Sequence, residues 1–209
     1  MTSARQEILD KLKKATLGKT QPCPPDFKQP VYHPLNGTLA EIFKQNLELL
    51  KGEAHICDDE QQLFAALKKL IYENGWKQVC CREKPLQERL VEYQVPAGNC
   101  LKLPDDIEAG ITSCEYLVAH LGSVMVSSAQ GSGREMFVFP PVHIVIAKGS
   151  QLVDYLENGY GKLTGKYKDK LPSMISVISG PSRTADIEKR LVLGAHGPRS
   201  LIVFIQNNI

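Results

Sequence analysis

Two runs, VHIVIA (142–147) and SLIVFI (200–205), are apolar at almost every position. A strand with one face in water alternates apolar and polar residues, so strands like these must be covered on both faces. They predict a sheet held between helices, the arrangement of α/β proteins. Further strands are expected at AHIC (54–57), KQVCC (77–81), NCLKL (99–103), EYLVA (115–119), SVMVSS (123–128) and MISVIS (174–179). Only three residues separate EYLVA from SVMVSS, and Gly131 and Gly133 follow, which suggests an antiparallel excursion and hence a mixed sheet.

Helical spacing recurs between the strands. Leu39, Ile42, Phe43, Leu47 and Leu50 mark one helix, ending before Gly52. In DDEQQLFAALKKLIYENG (58–75), Asp58 or Asp59 can cap, Leu63, Phe64, Leu67, Leu70 and Ile71 form the buried stripe, and Gly75 follows the end. PLQERLVEY (85–93) takes Pro85 in its first turn. Helices are also expected at SQLVDYLENG (150–159) and TADIEKRLVLG (184–194). ARQEILDKLKKA (4–15) is amphipathic through Ile8, Leu9 and Leu12, with either a partner subunit or its own domain to lie on. Pro22, Pro24, Pro25, Pro30 and Pro34 then exclude a helix or central strand. The expected partition is an N-terminal helix and Pro-rich linker over 1–36 and one α/β domain over 37–209.

Charge and cysteine content narrow the function. The 25 basic and 23 acidic residues leave a net charge of +2, too little to call for nucleic acid. The basic stretch YGKLTGKYKDK (160–170) is broken by Gly161, Gly165 and Asp169 and reads as a solvated loop. No apolar run has the roughly eighteen residues of a membrane helix, and residues 1–10 are too charged for a signal peptide, so a cytoplasmic protein without membrane insertion is expected. Cys23, Cys57, Cys80, Cys81, Cys100 and Cys114 lack the pair spacing of zinc or iron-sulfur ligands and read as structural thiols, with disulfides or a reactive thiol as alternatives. The histidines show neither HxH nor HExxH spacing. No metal, flavin or nicotinamide site is expected in this chain.

Three segments have chemical potential. In SGPSRTADIE (179–188), read as a strand-to-helix turn, Gly180 permits close approach, Ser182 or Thr184 can cap, and Arg183 can hold a carboxylate or phosphate. Asp186 and Glu188 oppose a bare phosphate there, and neither a Walker loop nor a dinucleotide fingerprint is present. In LGAHGPR (193–199), His196 sits between glycines as a loop residue bonded to a carbonyl, an acid-base group or ligand donor, or a metal ligand whose co-ligands would have to come from across the fold; Arg199 is a surface or ion-pair residue. Between 110 and 143, Arg134 follows a glycine turn and can bind an anion, stay solvated or form an ion pair. His143 is read as a core or subunit-contact histidine rather than a base, and Glu115 as a strand-end marker, a base or a nucleophile.

GITSCEYLVAHLGSV (110–124), GREMFVFPPVHIVIA (133–147) and above all ISGPSRTADIEKRLVLGAHGPRSL (178–201) resemble the LUD-domain family, in its lactate utilisation protein C branch. The resemblance implies a three-layer α/β/α Rossmann-like core with a largely parallel or mixed sheet, similar to sugar-phosphate isomerases and coenzyme A transferases (NagB/RpiA/CoA-transferase-like domains). It places family motif residues at Gly180, Ser182, Arg183, Thr184, Asp186, Glu188, His196, Arg134 and His143. Where the family reads alanine-glutamate-threonine-glycine, this chain has Ala119-His120-Leu121-Gly122, so an imidazole replaces an acid.

The resemblance implies a role in oxidising lactate to pyruvate beside an iron-sulfur oxidoreductase and a larger LUD-containing ferredoxin-like subunit. The leading expectation is a non-redox accessory subunit binding an organic anion, with any iron-sulfur centres on its partners. The alternatives are a transferase or isomerase acting on a phosphorylated or coenzyme-A-linked molecule, and a structural module that forms homo-oligomers. Catalytic candidates are Glu115, His120 and His196; ligand-binding candidates are Arg134, Ser179, Gly180, Ser182, Arg183, Thr184, Asp186 and His196.

Overall fold

The computed structural model describes residues 4–16, 32, 34–187, 190–194 and 196–207. Met1–Pro34 and Leu35–Ile209 are separate compact units. The first contains α1 (Ala4–Thr16), on which Ile8 and Leu12 are about 60% exposed.

The second unit is built on five parallel strands in the order β1 (Glu53–Cys57), β11 (Ser200–Gln206), β6 (Val142–Lys148), β3 (Ala109–Thr112), β2 (Val79–Cys81). The two apolar runs became adjacent central strands, Ser200 pairing with Val142 and Gln206 with Lys148. Alternate residues of β6 serve different cores: Ile144 packs with α3 (Glu60–Asn74) and with Leu90 of α4 (Lys84–Glu92), while Val145 and Ala147 pack with α2 (Leu39–Leu49). The caps follow the sequence. Thr38 and Glu41 form a capping box at α2, the Asp59 side chain accepts from the Gln62 amide at α3, and Gly75 ends α3 in a left-handed conformation.

The antiparallel excursion is a separate sheet: four strands in the order β7 (Leu152–Val153), β4 (Tyr116–Val118), β5 (Ser123–Ser127), β8 (Ile175–Ile178). It shares the α2-side core with the parallel sheet through Leu117, Val124 and Val126. Its other face packs Val118, Met125 and Val153 against Leu163 of α5 (Leu156–Tyr167). The five-stranded sheet is thus wholly parallel, whereas the four-stranded sheet is itself mixed, β7 running parallel to β4 and the β4–β5 and β5–β8 pairs antiparallel.

Four expectations are corrected. The segment read as helix 184–194 is instead an antiparallel pair, β9 (Arg183–Ile187) and β10 (Arg190–Leu193). Its base is closed by backbone bonds, Gly194 N–H to the Ser182 carbonyl (3.0 Å) and Ser182 N–H to the Pro198 carbonyl (2.8 Å). The first helical turns would have offered only Ala185 and Ile187 as apolar contacts, so strand pairing prevails. Residues 152–153 form β7, and the helix begins at Leu156 and runs to Tyr167 through the stretch read as a loop. NCLKL is an irregular segment rather than a strand, tied to the β2 edge through Cys100 and the preceding Gly98. Cys80 and Cys100, read as thiols, are joined in a disulfide, while Cys57, Cys81 and Cys114 are free and buried.

Candidate functional site

Parallel strands that end together leave an opening where loops diverge, and open α/β sheets present their ligand crevices at that carboxyl edge. Here β2, β3, β6 and β11 end at Cys81, Thr112, Lys148 and Gln206. Around them lies a crevice of about 670 Å³, walled by Leu63 and Phe64 of α3 and Leu86 of α4, with Glu83, Ser113, Gln151 and Lys148 as polar lining. Arg89 of α4 forms an ion pair with Glu60 of α3 and another with Glu92, joining the two helices at the wall. Its guanidinium is held charged chiefly by the Glu60 hydrogen bond.

Glu83 is the most enclosed charged group of this lining, 9% exposed. Its carboxylate accepts from the Ser113 amide at 2.8 Å and from the Ser113 hydroxyl. Gln130 donates to the Ser113 carbonyl at 2.9 Å and to its hydroxyl at 3.1 Å, so the acid is fixed by a bonded loop rather than by a cation. Neither Glu83 nor Ser113 was singled out by sequence. The only available signal was position, one or two residues beyond the ends of β2 and β3, and β3 itself was not foreseen.

Glu115 leaves the same edge but turns inward. It is 4% exposed, and its carboxylate accepts from Ser127 Oγ (2.5 Å), Tyr167 Oη (2.7 Å) and Lys166 Nζ (2.8 Å). Burial pushes its pKa up, but the bonds from Lys166, Ser127 and Tyr167 outweigh this and hold it below the usual carboxylate range. A carboxylate this fully bonded fastens α5 to β5 and is poorly placed as a base or nucleophile. Arg134 is exposed on this side of the fold and donates to Ser173 Oγ at 2.6 Å; its neighbour Glu135 pairs with Arg82, which follows β2.

The serine turn and the histidine loop come together, but at the amino edge of the parallel sheet. Ser182 bonds Gly194 and Pro198 across the two segments, and Arg199 N–H donates to the carbonyl of Pro141, just before β6. Arg183, His196 and Arg199 are exposed. Ser179 Oγ lies 2.8 Å from Ser123 Oγ. Gly180 has φ +77°, and a Cβ there would lie 2.6 Å from the Leu50 carbonyl oxygen at the end of α2. His120 occupies the 3-10 turn Ala119–Leu121, tied to α2 by Asn46 Nδ2 donating to the carbonyls of Ala119 (2.9 Å) and His120 (3.2 Å), with its ring beside Tyr155. Thr184 and Asp186 lie on β9, and Glu188 is outside the described residues.

His143 belongs to the core. Thr112 Oγ1 spends its proton on the Ser113 carbonyl (2.9 Å), so at 2.8 Å it accepts from His143 Nε2–H. That leaves Nδ1 as an acceptor without a partner in a fully buried ring, and burial lowers the pKa to about 4. The imidazole is neutral near pH 7. Among the described residues no cluster of three or more His, Cys, Asp or Glu is placed to hold a metal ion, and no helix is long and apolar enough to cross a membrane.

A parallel sheet covered by helices, open in a crevice across its carboxyl edge, defines an α/β domain of the doubly covered class. The chain belongs to the LUD domain family, whose profile matches residues 96–205. It is 40% identical over 113 residues to Lactate utilization protein C of Halalkalibacterium halodurans, covering 53% of this chain and 45% of that one. It is 31% identical over 130 residues to Lactate utilization protein C of Bacillus subtilis, covering 60% and 54%. The chain thus spans about half the length of the curated relatives it matches. In fold it is similar to a DUF162-family protein from Deinococcus radiodurans, with a TM-score of 0.62 at 17% identity over 83% of this chain and all of that one.

Proposed function

We propose that this chain serves in lactate utilisation as a non-redox subunit that binds a small organic molecule in the carboxyl-edge crevice, with electron transfer carried by iron-sulfur partner proteins. The names of its relatives support the pathway, and the crevice carries the binding role. Its volume of about 670 Å³ lies in the range of drug-sized ligands and far exceeds a three-carbon acid. Three acids, Glu60, Glu83 and Glu88, face two cations, Arg89 and Lys148, and Arg89 is already paired. The lining therefore suits a ligand that offers hydrogen-bond donors to Glu83. A bare organic anion is better matched to the opposite edge, where Arg183, His196 and Arg199 are exposed.

Calorimetry of the full chain with lactate, pyruvate, adenine nucleotides and coenzyme A tests the site. The expected result is saturable binding of at least one compound that weakens about tenfold or more in Glu83→Gln, the loss of one charge-assisted bond. Binding that is insensitive to Glu83→Gln but lost in Arg183→Ala would move the site to the amino edge. For the role, a tagged chain recovered from lactate-grown cells should bring down iron-sulfur proteins. Recovery without them, together with unimpaired growth on lactate after deletion, would refute it.

A transferase or isomerase acting on a phosphorylated or coenzyme-A-linked molecule is the second reading, favoured by the placement of a nearly buried carboxylate in this crevice. It predicts turnover of such a substrate that Glu83→Gln abolishes.

A further inference from the structure

The β2 edge of the parallel sheet is closed by a strap from the segment after α4. Gly98 N–H donates to the Val79 carbonyl at 2.8 Å, and the Gly98 carbonyl accepts from the Cys81 amide at 3.0 Å, so Gly98 extends the sheet by a single residue. One bridge residue at a sheet edge is a weak attachment in water. Two further links reinforce it: the disulfide from Cys80 to Cys100, and a bond from Arg82 Nε to the Cys100 carbonyl at 2.7 Å. Arg82 in turn pairs with Glu135 at 3.0 Å, and the next residue is Glu83 of the crevice. The covalent link, the strap and the crevice wall are therefore consecutive along four residues of backbone, 80–83.

We propose that the Cys80–Cys100 bridge is a reversible thiol switch, opened by a dithiol reductant, that controls whether the strap closes the β2 edge and, through Arg82, steadies the adjoining Glu83 of the crevice wall. Its regulatory meaning rests on the crevice being the binding site; the switch itself does not.

The two sulfurs are unequal. Cys80 is fully buried in β2, whereas Cys100 is partly exposed and followed by Leu101, which is 90% exposed. A reductant thiolate attacks the Cys100 sulfur, the S–S bond breaks, and Cys80 leaves as a thiolate that takes up a proton. The second thiol of the reductant then displaces Cys100 from the mixed disulfide. Two electrons enter the protein, and the dithiol ends as its cyclic disulfide. The remaining described thiols do not compete. Cys57, Cys81 and Cys114 are buried, and burial raises all three pKa values, that of Cys81 to about 12, keeping them as unreactive thiols.

Hydrogen exchange reads each link without a ligand. The Cys81 amide reports the strap, and the Ser113 amide, bonded to Glu83, reports the crevice wall. The full chain is titrated with dithiothreitol under native conditions, alkylated for mass spectrometry, and compared with an unreduced sample. Cys100 should become alkylated while Cys57 and Cys114 do not. The Cys81 and Ser113 amides should lose about tenfold or more of their protection, with β6 and β11 unchanged, as local opening requires. The double variant C80S/C100S should match the reduced protein; if it does not fold, the reduced natural chain still decides. Cys100 that stays unreactive until the protein is denatured overturns the switch, as does a reduced protein whose Ser113 amide is as protected as before. A crevice that binds nothing would leave this result standing, so the two proposals fail separately.

Discussion

The two edges of the parallel sheet are built on opposite principles. At the carboxyl edge, polar residues are committed to one another: Glu83 to Ser113, Arg89 to Glu60 and Glu92, Glu115 to Lys166, Tyr167 and Ser127. At the amino edge, backbone bonds close the loops, and charged and imidazole side chains of the two motif segments are left outside. Ser182 bonds Gly194 and Pro198 through main-chain atoms, while Arg183, His196 and Arg199 face solvent. An unusual local sequence can thus fix a loop without fixing a site, and a site can assemble from residues with no motif at all.

The largest expected effect tests whether the amino edge is held by its backbone. Gly180→Ala must keep φ near +77° and place a Cβ 2.6 Å from the Leu50 carbonyl oxygen and 2.9 Å from Leu50 Cβ. Left-handed strain plus a clash with backbone should cost about 4 kcal/mol. At roughly 2–4 °C per kcal/mol for a domain of this size, the melting temperature should fall by about 8–16 °C. Gly75→Ala is the control, since φ is +66° but a Cβ there meets nothing within 4 Å, and the loss should be only about 1 kcal/mol. Equal losses at the two positions would show that the turn is not pinned against α2.

The second effect comes from the core between the edges. In the unfolded chain His143 titrates near 6.5, and in the fold near 4. Between those values the unfolded state binds more protons, so stability falls as pH drops from about 6.5 toward 4, by about 3 kcal/mol in all. Glu115, whose folded pKa is lowered, adds its loss only below its ordinary 4.5, where the unfolded carboxyl gains a proton before the folded one. Urea unfolding across pH 7 to 4 should show this slope, and His143→Leu should flatten it above pH 4.5. A slope that persists unchanged in the variant would mean that another group carries it and that burial does not hold His143 neutral.

Burial patterning made the central strands and the α2, α3 and α4 helices legible, because continuous apolar runs and capping residues act locally. Legibility failed where a distant contact decided the local structure. Helix α5 contains Gly159, Gly161 and Gly165, each a cost of about 1 kcal/mol in a helix, so propensity argues against it. It stands because Leu163 is buried, because Gly159 lets the helix approach Met125 and Val153, and because Lys166 and Tyr167 reach Glu115. The hairpin at 183–193 is closed by Gly194 and Pro198, which no helical periodicity can reveal. Cys80 and Cys100 are 20 residues apart, and only the strap brings their Cα atoms to 5.6 Å. Glu83 and Ser113 stayed invisible for the same reason: their meaning comes from strand order.

The smallest effect on stability carries the most information about function. Arg183→Ala and His196→Ala remove exposed side chains from an edge whose backbone bonds they do not make, so each should change unfolding free energy by less than about 0.5 kcal/mol. Glu83→Ala instead leaves the Ser113 amide and hydroxyl without their acceptor and should cost about 2 kcal/mol. Stability and function can therefore be separated at the amino edge but not at the carboxyl edge. If growth on lactate survives Arg183→Ala and His196→Ala in the native host but fails with the gentler Glu83→Gln, the crevice is the working site. If the two amino-edge variants fold normally yet abolish growth, exposure without structural duty marks those side chains as contacts for an anion or a partner. The crevice would then be reduced to a packing defect between α3 and α4.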